Sequence, residues 1–336
     1  DSSTSRGLGD VYKRQVIMSN IRSLIEGYMN GNAWEDLCVK CYRIRYQNEN
    51  YTYIPAAQGG DAGIEGFTQN GIVHQCYCPE REYSDDELYA HQRDKLTKDI
   101  DKLLNNGERL KKLGVPTIVE WHFDIPEYKD SRIIIHAESK QKEVLKAKSE
   151  KRTKLSYISD DFKIVIKIAE DFTPEISRII RTNLTDMRLN LAIKHQDTLD
   201  WSKCDSQKVA NIRRKVKAVM NTCDDNNPDL NYIINAYVDF YISGLDIMNT
   251  LQLNFPELYE DLYGLEQSYK REVSIRTHMN TNKELNQSLF DKILNDFQQK
   301  LENDFSRVLS QASIGELKQD LVASWLADCS MEFRGV

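Results

Sequence analysis

Apolar positions along the chain follow two periods in turn. From Asn32, the residues Trp34, Leu37, Cys38, Cys41 and Tyr42 recur at three- and four-residue spacing. That stripe predicts an amphipathic helix with Asn32 placed to cap it. The pattern then shortens. "YTYIPAAQGG" predicts a short strand running into a glycine turn, and "AGIEGF" and "GIVHQCY" predict two strands joined at "TQNG". The Asn-Gly pair in that turn is a strong hairpin signal. The helical period returns in "SDDELYAHQRDKLTKDIDKLLNNG". There Ser84 and Glu87 have capping-box spacing, Leu88, Leu96, Ile100, Leu103 and Leu104 supply the apolar side, and Gly107 is placed to end the helix. "VPTIVEWHF" predicts a buried strand and "FKIVIKI" an alternating one. Residues 131–150 are ambiguous, because "RIIIHA" favours strand and "KQKEVLKAKSE" favours helix.

Beyond "DFTPE" the character changes. Thr173 and Pro174 make a good helix start, and the remainder is rich in leucine and isoleucine at helical spacing. The expected architecture is an α/β N-terminal domain over 18–172 and a mostly α-helical C-terminal domain over 173–336, the latter for sensing, docking or oligomerisation. Near its end, "ELKQDLVASWLADCSMEF" offers Trp325, Leu326 and Met331 either as a partner or dimer surface or as part of the domain's own core. Residues 1–17, "DSSTSRGLGDVYKRQVI", lack the apolar core of a signal peptide. They resemble a translated sequencing adapter, a non-native leader that would make Met18 the natural start.

Composition narrows the function classes. Charged residues make up 29% of the 336-residue chain, and no apolar run approaches a membrane span; a soluble, cytoplasmic protein is expected. The net charge of -7 argues against wholesale electrostatic binding of nucleic acid, but a local basic surface can still do that work. The run "KQKEVLKAKSEKRTK" has seven basic residues against two acids. Lys140, Lys146, Lys148, Lys151 and Arg152 are its candidate phosphate contacts, and a solvated helix face is the plainer alternative. An odd count of seven cysteines, with no secretory signal, points to reduced thiols. Cys38-x-x-Cys41 and Cys76-x-Cys78 invite a zinc reading, yet four small buried hydrophobes account for them equally well.

The chemistry concentrates at the predicted hairpin. Glu65 on its first strand and Gln75 on its second can converge on one ion, since alternate residues share a face and the turn sets the strands side by side. Asp61 approaches from the glycine-rich lead-in, the Cys76 carbonyl offers another oxygen, and Glu35 on the preceding helix could supply one from the opposite wall. Such a set suits Mg²⁺ or Mn²⁺, the hard cations of phosphodiester hydrolysis.

"WEDLCVKCY", "GGDAGIEGF" and "IVHQCY", in that order, resemble the Mrr-like branch of the PD-(D/E)XK restriction-endonuclease-like superfamily, over roughly residues 32–125. The continuation "QCYCPE" is similar to nuclease effectors of multi-gene bacterial anti-phage defence systems, including the ABC-three-component kind. The resemblance implies a central mixed sheet flanked by helices and a metal-dependent nuclease, with DNA as the expected substrate. It implies Glu35, Asp61, Glu65 and Gln75 as metal ligands. An unregulated nuclease would be toxic, so control through a partner subunit or homo-oligomer is expected. Glu65 replaces the family's usual aspartate. Tyr77 replaces the usual lysine, which positions water and stabilises negative charge. Lys95 or Lys98 on the next helix could supply that charge instead. The alternative is an inactive nuclease-fold module that binds nucleic acid or a partner protein.

Overall fold

The computed structural model describes residues 24–25, 30–55, 62–182, 184, 186–191, 205–328 and 331–334. The proposed leader, Met18 and Asp61 lie outside them. Two compact units divide the chain, one spanning Gly27–Asp186 and the other combining Met187–Val336 with the segment 1–26.

In the first unit, helix α1 (Gly31–Arg45) begins two residues earlier than expected, because Asn30 rather than Asn32 caps it, accepting the Ala33 amide at its N-terminus. Strands β1 (Thr52–Tyr53), β2 (Gly66–Phe67) and β3 (Ile72–Cys76) follow, and β2 and β3 form the expected antiparallel hairpin. Its turn places Gly71 at φ +89°, a left-handed conformation that glycine takes without strain. Helix α2 (Asp85–Asn105) opens on a complete capping box, Ser84 and Glu87 each accepting from the other's amide. Gly107 does not end it as a left-handed cap. It opens α3 (Gly107–Lys112), where an added Cβ would lie 2.2 Å from the Tyr157 ring.

Strand β4 (Ile118–Asp124), helix α4 (Arg132–Glu150) and strand β5 (Ile158–Lys167) complete a five-stranded mixed sheet of order β1-β2-β3-β4-β5, in which β3, β4 and β5 are parallel. Parallel neighbours need a long crossover, usually helical. That settles residues 131–150 in favour of helix over their whole length. Ile133, Ala137 and Val144 face the core, and Ile134 and Ile135 are left exposed at 48% and 66%.

The sheet has two unlike faces. Val73 and Gln75 of β3 share a face with Trp121 and Phe123 of β4, and the apolar members pack with Leu96, Ile100 and Leu103 of α2. His74, Cys76, His122 and Asp124 alternate onto the other face, under α1. Trp34 Nε1 donates to the Asp124 carbonyl at 2.9 Å, and the Tyr42 ring stacks on His74 at 4.0 Å. Helix α5 (Thr173–Arg181), expected to open the helical domain, belongs to this unit. It buries Ile176, Ile179 and Ile180, and its Glu175 takes a two-pronged ion pair from Arg45 of α1.

The second unit is mostly helical: α6 (Ser206–Met220), α7 (Pro228–Asn254), α8 (Pro256–Met279), α9 (Asn286–Phe305) and α10 (Gln311–Ala327). Trp325, Leu326 and Met331 are fully buried, so they form core and not a docking surface. Trp325 Nε1 donates to Glu266 Oε1 at 2.8 Å, which satisfies the indole inside that core. Among the described residues no helix is long and apolar enough to cross a membrane.

Candidate active site

A cavity of about 690 Å³ opens at the C-terminal end of β3, between the start of α1 and the middle of α2. Glu35, Glu65, Glu80, Tyr77, His91 and Lys95 are on its wall. The hairpin ladder delivers Glu65: its amide donates to the His74 carbonyl at 2.7 Å, and its carbonyl accepts from Ile54 at 2.7 Å. Two glycines allow this close fit. Gly63 sits at φ +87°, and a Cβ there would lie 2.4 Å from the Asp99 carbonyl of α2. A Cβ on Gly66 would lie 2.3 Å from the Tyr51 hydroxyl. Trp121 Nε1 donates to the Gly63 carbonyl at 3.0 Å and fixes the same turn from the sheet side.

Glu65 and Gln75 meet as the hairpin geometry predicts. Both are buried, and Gln75 Nε2 donates to Glu65 Oε1. Gln75 stands behind Glu65 and off the cavity wall. Its own Oε1 has no hydrogen-bond partner among the described residues, an orphaned buried acceptor of the kind that calls for an explanation. Glu35 reaches the cavity from α1 and is held there by the Tyr53 hydroxyl, which donates to its Oε1 at 2.9 Å. Burial, reinforced by Glu35, pushes the Tyr53 phenol up to about 12, so it remains a donor at neutral pH.

Tyr77, where the resemblance expects a lysine, is half-buried and lies parallel to Phe123 with ring centroids 6.5 Å apart. Burial first, then neighbouring Tyr83, Cys78 and Glu80, push its hydroxyl up to about 12. It is a neutral phenol, able to hydrogen-bond but carrying no charge. The positive charge on the wall belongs to Lys95, whose Nζ is 2.6 Å from Asp99 Oδ2. Asp99 is fully buried and also receives Lys102 at 2.9 Å. Lys98, exposed on another side of α2, is not on the wall.

None of the five basic candidates lines this cavity. Lys140 pairs with Glu143 at 2.7 Å, and Lys148 holds the Ile158 carbonyl and Asp160. Lys146, Lys151 and Arg152 are exposed on the late part of α4 and just after it.

Tyr83 and His91 went unnoticed in the sequence. Their rings lie 4.4 Å apart at the cavity, and the Arg81 guanidinium stands 5.0 Å over Tyr83. Only the four-residue step from His91 to Lys95 on one helix face hinted at a shared wall. The polar network under α1 was also missed. Asp124 binds His74 Nδ1 at 2.9 Å and accepts from Tyr42 at 3.1 Å, and Tyr42 in turn meets His122 Nδ1 at 2.7 Å. Burial alone would lower His74, but Tyr51, Asp124 and Cys76 outweigh it and hold the imidazole well above its usual range. His122, without that degree of support, is lowered by burial. The alternation Glu120, His122, Asp124 along β4 was the available signal.

No family model, no curated protein and no solved structure matches this chain.

Proposed function

We propose that the first unit is a divalent-metal-dependent nuclease acting on DNA, with its centre at Glu65. The observation that carries this reading is the junction of the hairpin: Glu65 faces the cavity, Gln75 grips it from behind, and the Gln75 Oε1 acceptor has no described partner. The donor set fits a hard cation. Glu65 and Glu35 offer carboxylate oxygens, Gln75 an amide oxygen and Cys76 a main-chain carbonyl, which suits Mg²⁺ or Mn²⁺ better than a soft metal.

When bound, such a cation supplies charge neutralisation at the phosphate and acidifies a coordinated water. The chain's own residues do the rest. Gln75 orients the Glu65 carboxylate, and Tyr53 orients Glu35. Lys95 holds positive charge where a phosphoryl oxygen can approach, the role that Tyr77 cannot fill. Tyr77 is left to hydrogen-bond the substrate or a water through its neutral hydroxyl.

A second reading has its own support. Tyr77 is neutral and Lys95 is already engaged by Asp99, a combination that suits a site which binds nucleic acid without cutting it. Incubating plasmid and linear DNA with the protein in EDTA, Mg²⁺ or Mn²⁺, beside Glu65→Ala, separates the two. The proposal expects metal-dependent cleavage, reduced at least about a hundredfold in the variant, the usual scale for losing a group that stabilises transition-state charge. Binding without cleavage under every metal condition, or cleavage unchanged in Glu65→Ala, would overturn it.

A further inference from the structure

The opposite face of β3 carries a second set of donors, remote in chemistry from the acids of the cavity. Cys38 lies one helical turn beyond Glu35 in α1, and the parallel register of β3 on β4 sets Cys76 beside Asp124. Ligand atoms of Cys38, Cys76 and Asp124 all lie within 4.8 Å of one another, and all three residues are buried. Cys76 Sγ is 3.9 Å from Asp124 Oδ2 and 3.7 Å from His74 Nδ1. A tetrahedral zinc with bonds of about 2.0–2.3 Å keeps its donors about 3.3–3.8 Å apart, so the group is close to closing on an ion.

The fold rearranges the cysteine pairing that the spacing suggested. One member of each motif enters the group. Cys41 stands outside the group, and Cys78 Sγ contacts the Pro79 carbonyl at 3.7 Å. The surrounding hydrogen bonds already resemble those that orient metal ligands. Tyr51 holds His74 Nε2 at 2.7 Å, leaving Nδ1 toward the group, and Tyr42 donates to Asp124 Oδ1.

We propose that Cys38, Cys76 and Asp124, with His74 Nδ1 as fourth donor, form a zinc site that ties α1 to β3 and β4. Two sulfurs select zinc over Mg²⁺. Binding is a proton exchange without redox change: each cysteine gives up its thiol proton to solvent, His74 gives up its Nδ1 proton, and the cation takes their places. The site stands independently of the nuclease reading. It would fix the spacing between Glu35 and Gln75, because Glu35 lies one helical turn from Cys38 and Gln75 lies between His74 and Cys76, but its occupancy needs no DNA.

The test is metal analysis of the full chain, produced with zinc in the medium and purified without chelators. The expected result is about one zinc per chain, lost in Cys38→Ser and Cys76→Ser and kept in Cys41→Ser, Cys78→Ser and Glu65→Ala. Replacement by Co²⁺ in the unmutated chain should give a sulfur-to-cobalt charge-transfer band and the d–d bands of a tetrahedral ion, a readout that does not depend on whether a variant folds. Far less than one zinc per chain together with no cobalt–thiolate band would overturn the proposal. Full zinc retention in both Cys38→Ser and Cys76→Ser would do the same.

Discussion

At the scale of single residues, the proposed nuclease reading turns on which cation serves where the resemblance expects a lysine. Lys95 and Lys98 sit three positions apart on α2, yet only Lys95 reaches the cavity wall. Its charge is shared with Asp99, which has a second partner in Lys102. An arriving phosphate can therefore draw Lys95 away without stranding Asp99, since Lys102 still compensates the buried carboxylate. Lys95→Ala should lower the cleavage rate about 10²–10³-fold, whereas Lys98→Ala should stay within about twofold, as surface changes away from a site usually do. Rates measured side by side under the same Mg²⁺ conditions decide the matter, and equal losses in the two variants would remove Lys95 from its role. The sequence could name both lysines but not choose between them. The choice depends on how α2 is rolled against the sheet, which is set by Leu96, Ile100 and Leu103 finding the core and by Gly63 pressing on Asp99.

At the scale of elements, the hairpin was the most legible part of the chain. Its turn residues, its alternation and its place after a capped helix all agreed, and local agreement of this kind is what makes an element readable. "RIIIHA" was not readable locally, because its strand preference yields to the need for a crossover between parallel β4 and β5. The meeting of Cys38, Cys76 and Asp124 was hidden for a related reason, since it depends on a register between segments far apart in sequence. The hairpin also gives a direct test. Gly63→Ala would impose a side chain at φ +87° and drive a Cβ to 2.4 Å from the Asp99 carbonyl. It should cost about 1–3 kcal/mol in strain alone and move Glu65 off the cavity, so both melting temperature and cleavage should fall. A variant with native melting temperature and activity would show that the turn is not held as tightly as its contacts indicate.

In the second unit, α10 carries a buried acid. Asp320 is fully buried, its two carboxylate oxygens have no hydrogen-bond partner among the described residues, and its Cβ would lie 3.0 Å from a Cβ added to Gly244 of α7. Burial, with Glu316 nearby, raises its carboxyl to about 8. In the unfolded chain it should titrate near the ordinary value of about 3.9. Between those values the folded protein keeps a proton that the unfolded chain gives up, so this contribution to stability is full below about pH 4 and falls as pH rises toward 8. Asp320→Asn removes the titration. Its unfolding free energy should match the parent near pH 4 and exceed it at pH 8 by an amount on the order of a few kcal/mol, seen as a higher melting temperature at pH 8 only. A gap between the two proteins that does not change with pH would rule out Asp320 as the source.

For the molecule as a whole, the division of the chain decides what can function alone. The change in composition after "DFTPE" suggested a boundary at 172, but the contacts place it at 186. The reason lies in α5, which reads as the start of a helical domain and packs as the last element of the sheet domain. Ile176, Ile179 and Ile180 are fully buried, and Glu175 neutralises Arg45 of α1. At about 1.5–3 kcal/mol for each buried isoleucine, α5 contributes roughly 5–9 kcal/mol of apolar burial, an upper bound when the unfolded chain is itself compact. That is comparable with the whole stability of an ordinary domain, about 5–15 kcal/mol. A fragment of residues 27–186 should therefore melt cooperatively and keep metal-dependent cleavage, since every residue of the cavity wall lies within it. A fragment of residues 27–172 should show no cooperative transition by circular dichroism. If the shorter fragment melts like the longer one, the sheet domain does end at 172 and α5 is dispensable to it. The same comparison also isolates the role of the helical unit. Cleavage by 27–186 faster than by the full chain would identify the second unit, residues 1–26 and 187–336, as a restraint on the site, and equal rates would leave it a role outside the chemistry.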